Sequence, residues 1–178
     1  MSTGGAVVWI AGRPAAGKST LGLRLVALLR DRGAPCALLD GDEVREALGR
    51  PAGRGPEERA AFYEALARIA ALLARQGLVA VVAATASRRA QRQRARALAP
   101  AFVEVLVATP AEECERRDPK GLYARARAGD IAGLPGRDEP FEEPDAPDVV
   151  ARGGEDQEAA ERAAALALAA RGGPGSTG

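Results

Sequence analysis

Short apolar runs alternate along this chain with longer segments in which apolar residues recur every three or four positions. The short runs predict strands that are covered on both faces, at 6–11, 35–39, 78–83, 102–107 and 148–151. The longer segments predict helices at 20–30, 42–48, 57–76, 87–98, 110–117 and 155–170, and a small helix near 122–128. Strands that alternate with helices predict an α/β fold, a parallel β-sheet with helices on both faces.

Two stretches interrupt this alternation. Residues 49–56 hold three glycines, two prolines and two arginines, which predicts a loop. Residues 118–147 are rich in charge, glycine and proline, and we expect them to form a mobile lid over a site. We therefore expect a single domain over residues 1–171, followed by a disordered tail at 172–178.

A phosphate-binding motif follows the first predicted strand. Residues 12–19 read Gly-Arg-Pro-Ala-Ala-Gly-Lys-Ser, the G-x-x-x-x-G-K-[ST] pattern of a P-loop. Gly12 and Gly17 let the backbone turn tightly, so that successive N–H groups point at a phosphate. Lys18 can reach the β- and γ-phosphates, and the Ser19 hydroxyl can bind Mg²⁺. The motif predicts binding of a nucleoside triphosphate, and the flanking strand and helix disfavour the alternative of a chance match.

Such a loop needs a carboxylate nearby to hold Mg²⁺ or its water shell. The predicted third and fourth strands end without an acid, whereas the second ends in Asp40 and Asp42. At this edge of an open α/β sheet, where ligands bind, one carboxylate could orient hydrated Mg²⁺ and the other could take the proton of an attacking hydroxyl. The alternative is helix capping, which Asp42 could perform and which we do not expect of Asp40. The pair favours a kinase of small hydroxyl-bearing molecules.

Composition narrows the chemistry further. A net charge of +1 in 178 residues gives no reason to expect binding to nucleic acid or to a membrane surface. The chain has no histidine, so a general base must be a carboxylate or the substrate's own phosphate. It has no asparagine either, which excludes the Asn-Lys-x-Asp motif of GTPases. Cys36 and Cys114 are expected to be thiols, and with no signal peptide or long apolar run we expect a cytoplasmic protein.

Longer motifs outside the P-loop resemble one family of kinases, the adenylylsulfate kinases. They are Leu39-Asp40-Gly41-Asp42 with Val44-Arg45, then Glu58-Arg59, then Arg117-Asp118-Pro119-Lys120-Gly121-Leu122-Tyr123, and then 126–129, Gly136 and 138–142. The resemblance extends over about 7–150, and the string at 118–123 is its most specific part. It implies a P-loop NTPase-type fold with a lid, and transfer of the γ-phosphoryl group of Mg·ATP to the 3′-hydroxyl of adenosine 5′-phosphosulfate, which gives PAPS.

The same resemblance implies roles for individual residues. Asp42 would meet the acceptor hydroxyl, Asp40 and Ser19 would lie on the metal side, and Lys18 and Lys120 would complete the catalytic set. Contacts with ATP would come from Gly12, Ala15, Ala16, Gly17, Lys18, Ser19, Thr20 and Arg117. Contacts with the acceptor would come from Asp42, Arg45, Arg54, Arg59, Lys120 and Leu134. The family also implies a homodimer.

The acceptor half departs from the family pattern. Arg54 and Leu134 stand where the family has the two aromatic residues that sandwich the acceptor's adenine, and Phe62 stands where it has asparagine. An Arg54 guanidinium could stack on a purine in place of one ring. We expect Phe62 to be a core residue. The resemblance implies that Arg45 and Arg59 bind the phosphosulfate, an anion that suits forked guanidinium donors; without it, a solvated helix face would be the preferred interpretation of both. Two alternatives stay open: another anionic hydroxyl-bearing acceptor, and a weakly active nucleotide-binding partner subunit.

Overall fold

The computed structural model describes residues 4–49 and 55–171. Within them, five parallel strands form one sheet in the order β2-β3-β1-β4-β5. The strands are β1 Ala6–Ala11, β2 Cys36–Asp40, β3 Val79–Ala83, β4 Phe102–Val107 and β5 Val149–Ala151. The predicted parallel sheet is therefore confirmed, and its central strand β1 is the one that leads into the P-loop.

The helices cover both faces of the sheet. In the described ranges they are α1 Lys18–Asp31, α2 Gly41–Ala47, α3 Pro56–Arg75, α4 Arg89–Leu98, α5 Ala111–Arg117, α6 Leu122–Arg127 and α7 Gln157–Arg171. Every predicted element is present, with ends that differ by at most two residues. The start of α1 differs because Gly17 adopts a left-handed conformation (φ 103°), which turns the P-loop directly into the helix at Lys18.

Two layers of apolar side chains hold the helices to the sheet. On one face the leucines of α1 and the alanines of α7 pack on β1 and its neighbours. On the other face α3 and α4 pack around Trp9. Phe62 belongs to this second layer and is only 4% exposed, which confirms the prediction that it is a core residue. The aromatic-poor composition thus produces a core of small side chains in which alanines let helices approach closely.

The predicted lid segment, 118–147, contains α6 and is attached to the domain by buried side chains. Tyr123, Leu134 and Phe141 are at most 8% exposed. The Tyr123 hydroxyl donates a hydrogen bond to the carbonyl of Pro14 in the P-loop, at 3.0 Å. These contacts place the lid over the carboxyl ends of the strands. Its mobility and the single-domain boundaries stay predictions, and the predicted tail at 172–178 lies outside the described residues.

Two further observations concern the cysteines and the hydropathy of the helices. Cys36 and Cys114 are free thiols, as expected. Across the described ranges, no helix combines the length and the apolar character needed to cross a membrane.

Candidate active site

A cavity of about 590 Å³ lies where β1, β2 and β3 end. The P-loop forms one wall, the start of α2 and the first turns of α3 form another, and the lid closes the third. The predicted site residues that line it are Ala15, Gly17, Lys18, Ser19, Thr20, Asp40, Asp42, Arg45, Arg59, Arg117, Lys120 and Leu134. Gly12 and Ala16 are buried within the P-loop and do not line the cavity. Arg54 lies outside the described residues.

The P-loop is tightly braced from behind. A Cβ atom on Gly17 would lie 2.6 Å from the backbone nitrogen of Gly154, so this position needs glycine for space as well as for its positive φ. The Thr109 hydroxyl donates to the carbonyl of Ala16 at 2.7 Å. Gly154 follows β5, and Thr109 follows β4. The ends of two other strands therefore fix the loop's shape.

Lys18 is held inside the loop that it serves. Its ammonium group donates to the carbonyl of Arg13 at 2.8 Å, which directs the side chain back over the loop. Burial lowers the pKa of Lys18 to about 8, and the nearby Asp42 carboxylate opposes this shift only in part. Lys18 is thus only partly protonated in mildly alkaline solution. An anionic phosphate placed against it would raise its pKa.

The pKa of Lys18 gives a testable prediction. At pH 8.5 we expect ATP binding to take up part of a proton, because the phosphates favour the charged ammonium. Affinity for ATP should then be full below pH 8 and fall as the pH rises through about 8. Isothermal titration calorimetry in buffers of different ionisation enthalpy measures this uptake. In Lys18→Arg the guanidinium does not titrate, so binding should proceed without uptake; equal uptake in both proteins would contradict the assignment.

Asp40 performs two tasks at once. One of its oxygens, Oδ1, accepts hydrogen bonds from the backbone N–H groups of Asp42 (3.0 Å) and Glu43 (3.4 Å), so it caps α2. The other, Oδ2, accepts a hydrogen bond from the Ser19 hydroxyl. The expectation that Asp40 has no capping role was wrong. Because β2 continues without a loop into α2 at Gly41, Asp40 is itself the residue that precedes the helix.

The chemistry of these oxygens fits Mg²⁺. A serine hydroxyl and a carboxylate meet at the cavity wall beside the P-loop lysine, and both are hard oxygen ligands. Among the described residues, no group of three or more His, Cys, Asp and Glu side chains could hold a metal by itself. Mg²⁺ is usually held by one or two carboxylates together with substrate phosphates, and Ser19 and Asp40 offer ligands of that kind.

Asp42 faces the lid. Its carboxylate forms an ion pair with the Lys120 ammonium, and both side chains are more than half exposed. The family-specific motif at 118–123 explains how Lys120 comes to lie beside Asp42. Asp118 accepts hydrogen bonds from the N–H groups of Tyr123 (3.0 Å) and Ala124 (2.9 Å) and so caps α6. The string therefore folds the first turn of the lid and presents Lys120 to Asp42.

The two predicted anion-binding arginines have different surroundings. Arg59 donates to the carbonyl of Gly133 at 2.6 Å and to the Glu139 carboxylate at 2.7 Å, so it anchors the lid. The Arg45 guanidinium lies over the Phe62 ring, 3.7 Å from its centroid. Both arginines are partly buried and line the cavity, so neither lies on a fully solvated helix surface.

The remaining predicted residues lie at the margins of the cavity. Leu134 is 6% exposed and packs into the core while it lines the wall. Arg117 lines the opposite side and pairs with Glu113 at 2.6 Å. Sequence reasoning missed Tyr63, which also lines the cavity, and Gly154 behind the P-loop. The sequence features that could have identified them are the aromatic pair Phe62-Tyr63 in an aromatic-poor chain and the glycine pair Gly153-Gly154 just after the last strand.

A P-loop on the central strand, together with an aspartate in the first turn of α2 that pairs with a lid lysine in the same cavity, defines the protein as a P-loop kinase. The family model for adenylylsulphate kinase matches residues 4–152. The adenylyl-sulfate kinase of Paraburkholderia xenovorans strain LB400 is 44% identical over 147 residues, which cover 82% of each chain. The chain belongs to the adenylylsulphate kinase family, and it is an ATP-dependent phosphotransferase.

Two further proteins are similar to this chain, one in sequence and one in structure. The bifunctional enzyme NodQ of Azospirillum brasilense is 44% identical over 146 residues, which are 81% of this chain but only 24% of NodQ. The structure of the Mycobacterium tuberculosis APS kinase CysC in complex with AMPPNP and APS matches with a TM-score of 0.85 and 35% identity, over 92% of this chain and 97% of that one. The predicted family and fold class are thus confirmed.

Proposed function

We propose that this protein transfers the γ-phosphoryl group of ATP to the 3′-hydroxyl of adenosine 5′-phosphosulfate, giving PAPS. One observation carries the proposal: Lys18 of the P-loop and the Asp42–Lys120 pair line the same cavity as Arg45, whose guanidinium suits an anionic acceptor. The solved mycobacterial relative held AMPPNP and APS, which supports the same pair of substrates here.

On the donor side, the chain supplies fixed positive charge. The backbone N–H groups at the start of α1 and the Lys18 ammonium would bind the phosphates, and Lys18 would neutralise charge that develops on the transferred group. We propose Ser19 and Asp40 as the residues that would hold Mg²⁺ bound with ATP, and the ion would supply positive charge against the phosphates. Ala15, Thr20 and Arg117 would complete the contacts with the nucleotide.

On the acceptor side, Asp42 would accept the proton of the attacking hydroxyl. Lys120 lies against the Asp42 carboxylate. When Asp42 takes the proton of the hydroxyl it loses its charge, and the Lys120 ammonium would then stabilise the negative charge of the transferred phosphoryl group. Arg45 would bind the phosphosulfate, and Arg59 would hold the lid segment beside it through Gly133 and Glu139. Catalysis is then mainly positioning and charge stabilisation.

A second acceptor of the same chemical class is favoured by one feature of the wall. Leu134 presents an aliphatic side chain to the cavity, where stacking on a purine would call for an aromatic ring. Another anionic small molecule with a free hydroxyl would not need that ring. The chemistry proposed for Lys18, Asp40 and Asp42 would be the same in both cases.

An assay of ATP consumption across a panel of acceptors separates the two proposals. We expect adenosine 5′-phosphosulfate to give the highest kcat/KM, AMP, which lacks only the sulfate, to be much poorer, and adenosine to be poorer still, because Arg45 binds the anionic end. Mass spectrometry should find the added phosphoryl group on the ribose of the product. Turnover that prefers a non-nucleotide anion would overturn the assignment of the acceptor and support the second candidate.

Three wider proposals follow from the family and the sequence. The kinase domain would occupy residues 1–171, with its lid at about 118–147. The protein would act in the cytoplasm. It would form a homodimer, as the family resemblance implies.

A further inference from the structure

Arg45 and Phe62 form an unusual contact inside the cavity. The Arg45 guanidinium carbon lies 3.7 Å from the centroid of the Phe62 ring, closer than in the structure's other arginine–aromatic contacts, at 4.7–5.7 Å in the described residues. Both residues line the cavity. Arg45 comes from the short helix α2 and Phe62 from the long helix α3, so the contact joins the two helices that form this wall of the site.

The ring is a fixed platform. Phe62 is 4% exposed and packs in the core layer beneath α3. Its neighbour Tyr63 meets it edge to face, with centroids 5.6 Å apart and an interplanar angle of 61°. Burial raises the pKa of the Tyr63 hydroxyl, while the backbone of Ala86 and the Arg45 guanidinium act to lower it. The guanidinium thus lies on an aromatic ring that the core holds in place.

This kind of support leaves the charge available. Arg59 is partly neutralised by Glu139, whereas none of the described carboxylates forms an ion pair with Arg45. An aromatic face attracts the cation through its quadrupole and does not cancel its charge. A guanidinium held by its face can still offer N–H groups at its edge, which is the geometry that binds phosphate and sulfate oxygens in pairs. Holding it in advance also reduces the entropy lost when an anion binds.

We propose that Phe62 is a positioning residue that holds the Arg45 guanidinium toward the cavity and thereby strengthens binding of the acceptor's phosphosulfate group. The inference rests on the proposed function for the identity of that acceptor. It assigns Phe62 a part in substrate recognition, in addition to its place in the core.

Kinetics of matched variants test the proposal. In Phe62→Leu, which keeps an apolar side chain but loses the ring, the KM for adenosine 5′-phosphosulfate should rise roughly fivefold to thirtyfold. Both kcat and the KM for ATP should change less than about twofold, because the role proposed for Arg45 is to bind the acceptor's phosphosulfate group. Phe62→Tyr restores a ring and should return the acceptor KM close to the wild-type value. An unchanged acceptor KM in folded Phe62→Leu would overturn the proposal.

Two controls separate positioning from packing. Phe102 forms the same kind of contact with Arg96 but does not line the cavity, so Phe102→Leu should leave the acceptor KM unchanged. In an Arg45→Lys background, Phe62→Leu should raise the acceptor KM by less than about twofold more, because lysine has no planar group to stack. Full additivity of the two substitutions would mean that Phe62 acts independently of Arg45, and would overturn the proposal.

A measurement without turnover keeps this inference distinct from the proposed function. The Arg45 Nε–H resonance should be shifted upfield by the Phe62 ring, and the shift should be lost in Phe62→Leu and retained in Phe62→Tyr. With ADP filling the P-loop, inorganic sulfate titrated against that resonance should bind more weakly in Phe62→Leu. A wild-type protein inactive on adenosine 5′-phosphosulfate would contradict the proposed function alone, whereas equal sulfate affinity in both proteins would contradict the positioning role.

Discussion

Replacing Asp42 by asparagine is expected to lower kcat by about two to four powers of ten, with little change in the KM for ATP. The amide fills the same space as the carboxylate but cannot take the proton of the acceptor hydroxyl. The chain has no histidine to act in its place. Steady-state kinetics at saturating ATP and acceptor would measure the loss, and a single-turnover experiment would assign it to the chemical step.

The surroundings of Asp42 make this substitution easy to interpret. Its pair with Lys120 is largely exposed to solvent, so its loss should cost no more than about 1 kcal/mol of folding free energy, or a few degrees in Tm. Glu43 provides a matched control, since it lies next to Asp42 in the first turn of α2, is exposed, and has no assigned role. Glu43→Gln should keep the wild-type kcat. An Asp42→Asn enzyme that keeps more than about a tenth of the wild-type kcat would refute the role as base.

The layout of the fold could be predicted because its signals are local. Each strand is a continuous apolar run and each helix repeats its apolar residues at the helical period, so every element was found to within two residues. The P-loop is equally local, because loop, lysine and helix start occupy eight consecutive positions. Asp40 shows where prediction from local sequence signals fails. There the difference between a strand end and a helix cap depends on the absence of a single loop residue, which composition and periodicity do not specify.

The contacts that shape the acceptor half join residues far apart in the chain. Arg59 reaches Gly133 and Glu139, 74 and 80 positions away. The aromatic support of Arg45 depends on how α2 and α3 approach each other across the described cavity wall. A sequence pattern identifies a charged residue on a helix, but it does not identify the partner that the fold will bring to it. Resemblance to the family supplied those residues, and the structure supplied their surroundings.

The same limit applies to α4, whose arginines appear in sequence as a basic helix and are in fact structural. Arg89 pairs with Asp145 at the acidic end of the lid segment, and Arg96 pairs with Glu104 of β4 and with Asp148 just before β5. One arginine of this helix, Arg92, is only 2% exposed and lies at the centre of the cluster. Its guanidinium donates to Glu104 at 2.9 Å and to the carbonyls of Ala86 and Glu142, each at 2.5 Å.

Arg92→Met is therefore expected to lower the free energy of unfolding by about 3 kcal/mol, or roughly 6–12 °C in Tm. Removing the guanidinium leaves the buried Glu104 with only Arg96, at 3.3 Å, and deprives two carbonyls of their donor. The remaining Arg96 contact is why we expect the lower end of the usual cost of breaking a buried ion pair. Chemical denaturation followed by circular dichroism measures the change.

Two variants separate a stranded charge from a simple loss of contact. Arg94 occupies the same helix but pairs with Glu64 at the surface, so Arg94→Met should leave the unfolding midpoint close to wild type. The double variant Arg92→Met/Glu104→Leu removes the stranded carboxylate and should recover about 1 kcal/mol or more of the loss, although the two carbonyls still lack a donor. A double variant less stable than Arg92→Met would show that Glu104 stabilises the fold without its partner. It would then follow that Arg96, rather than Arg92, neutralises the Glu104 carboxylate of β4.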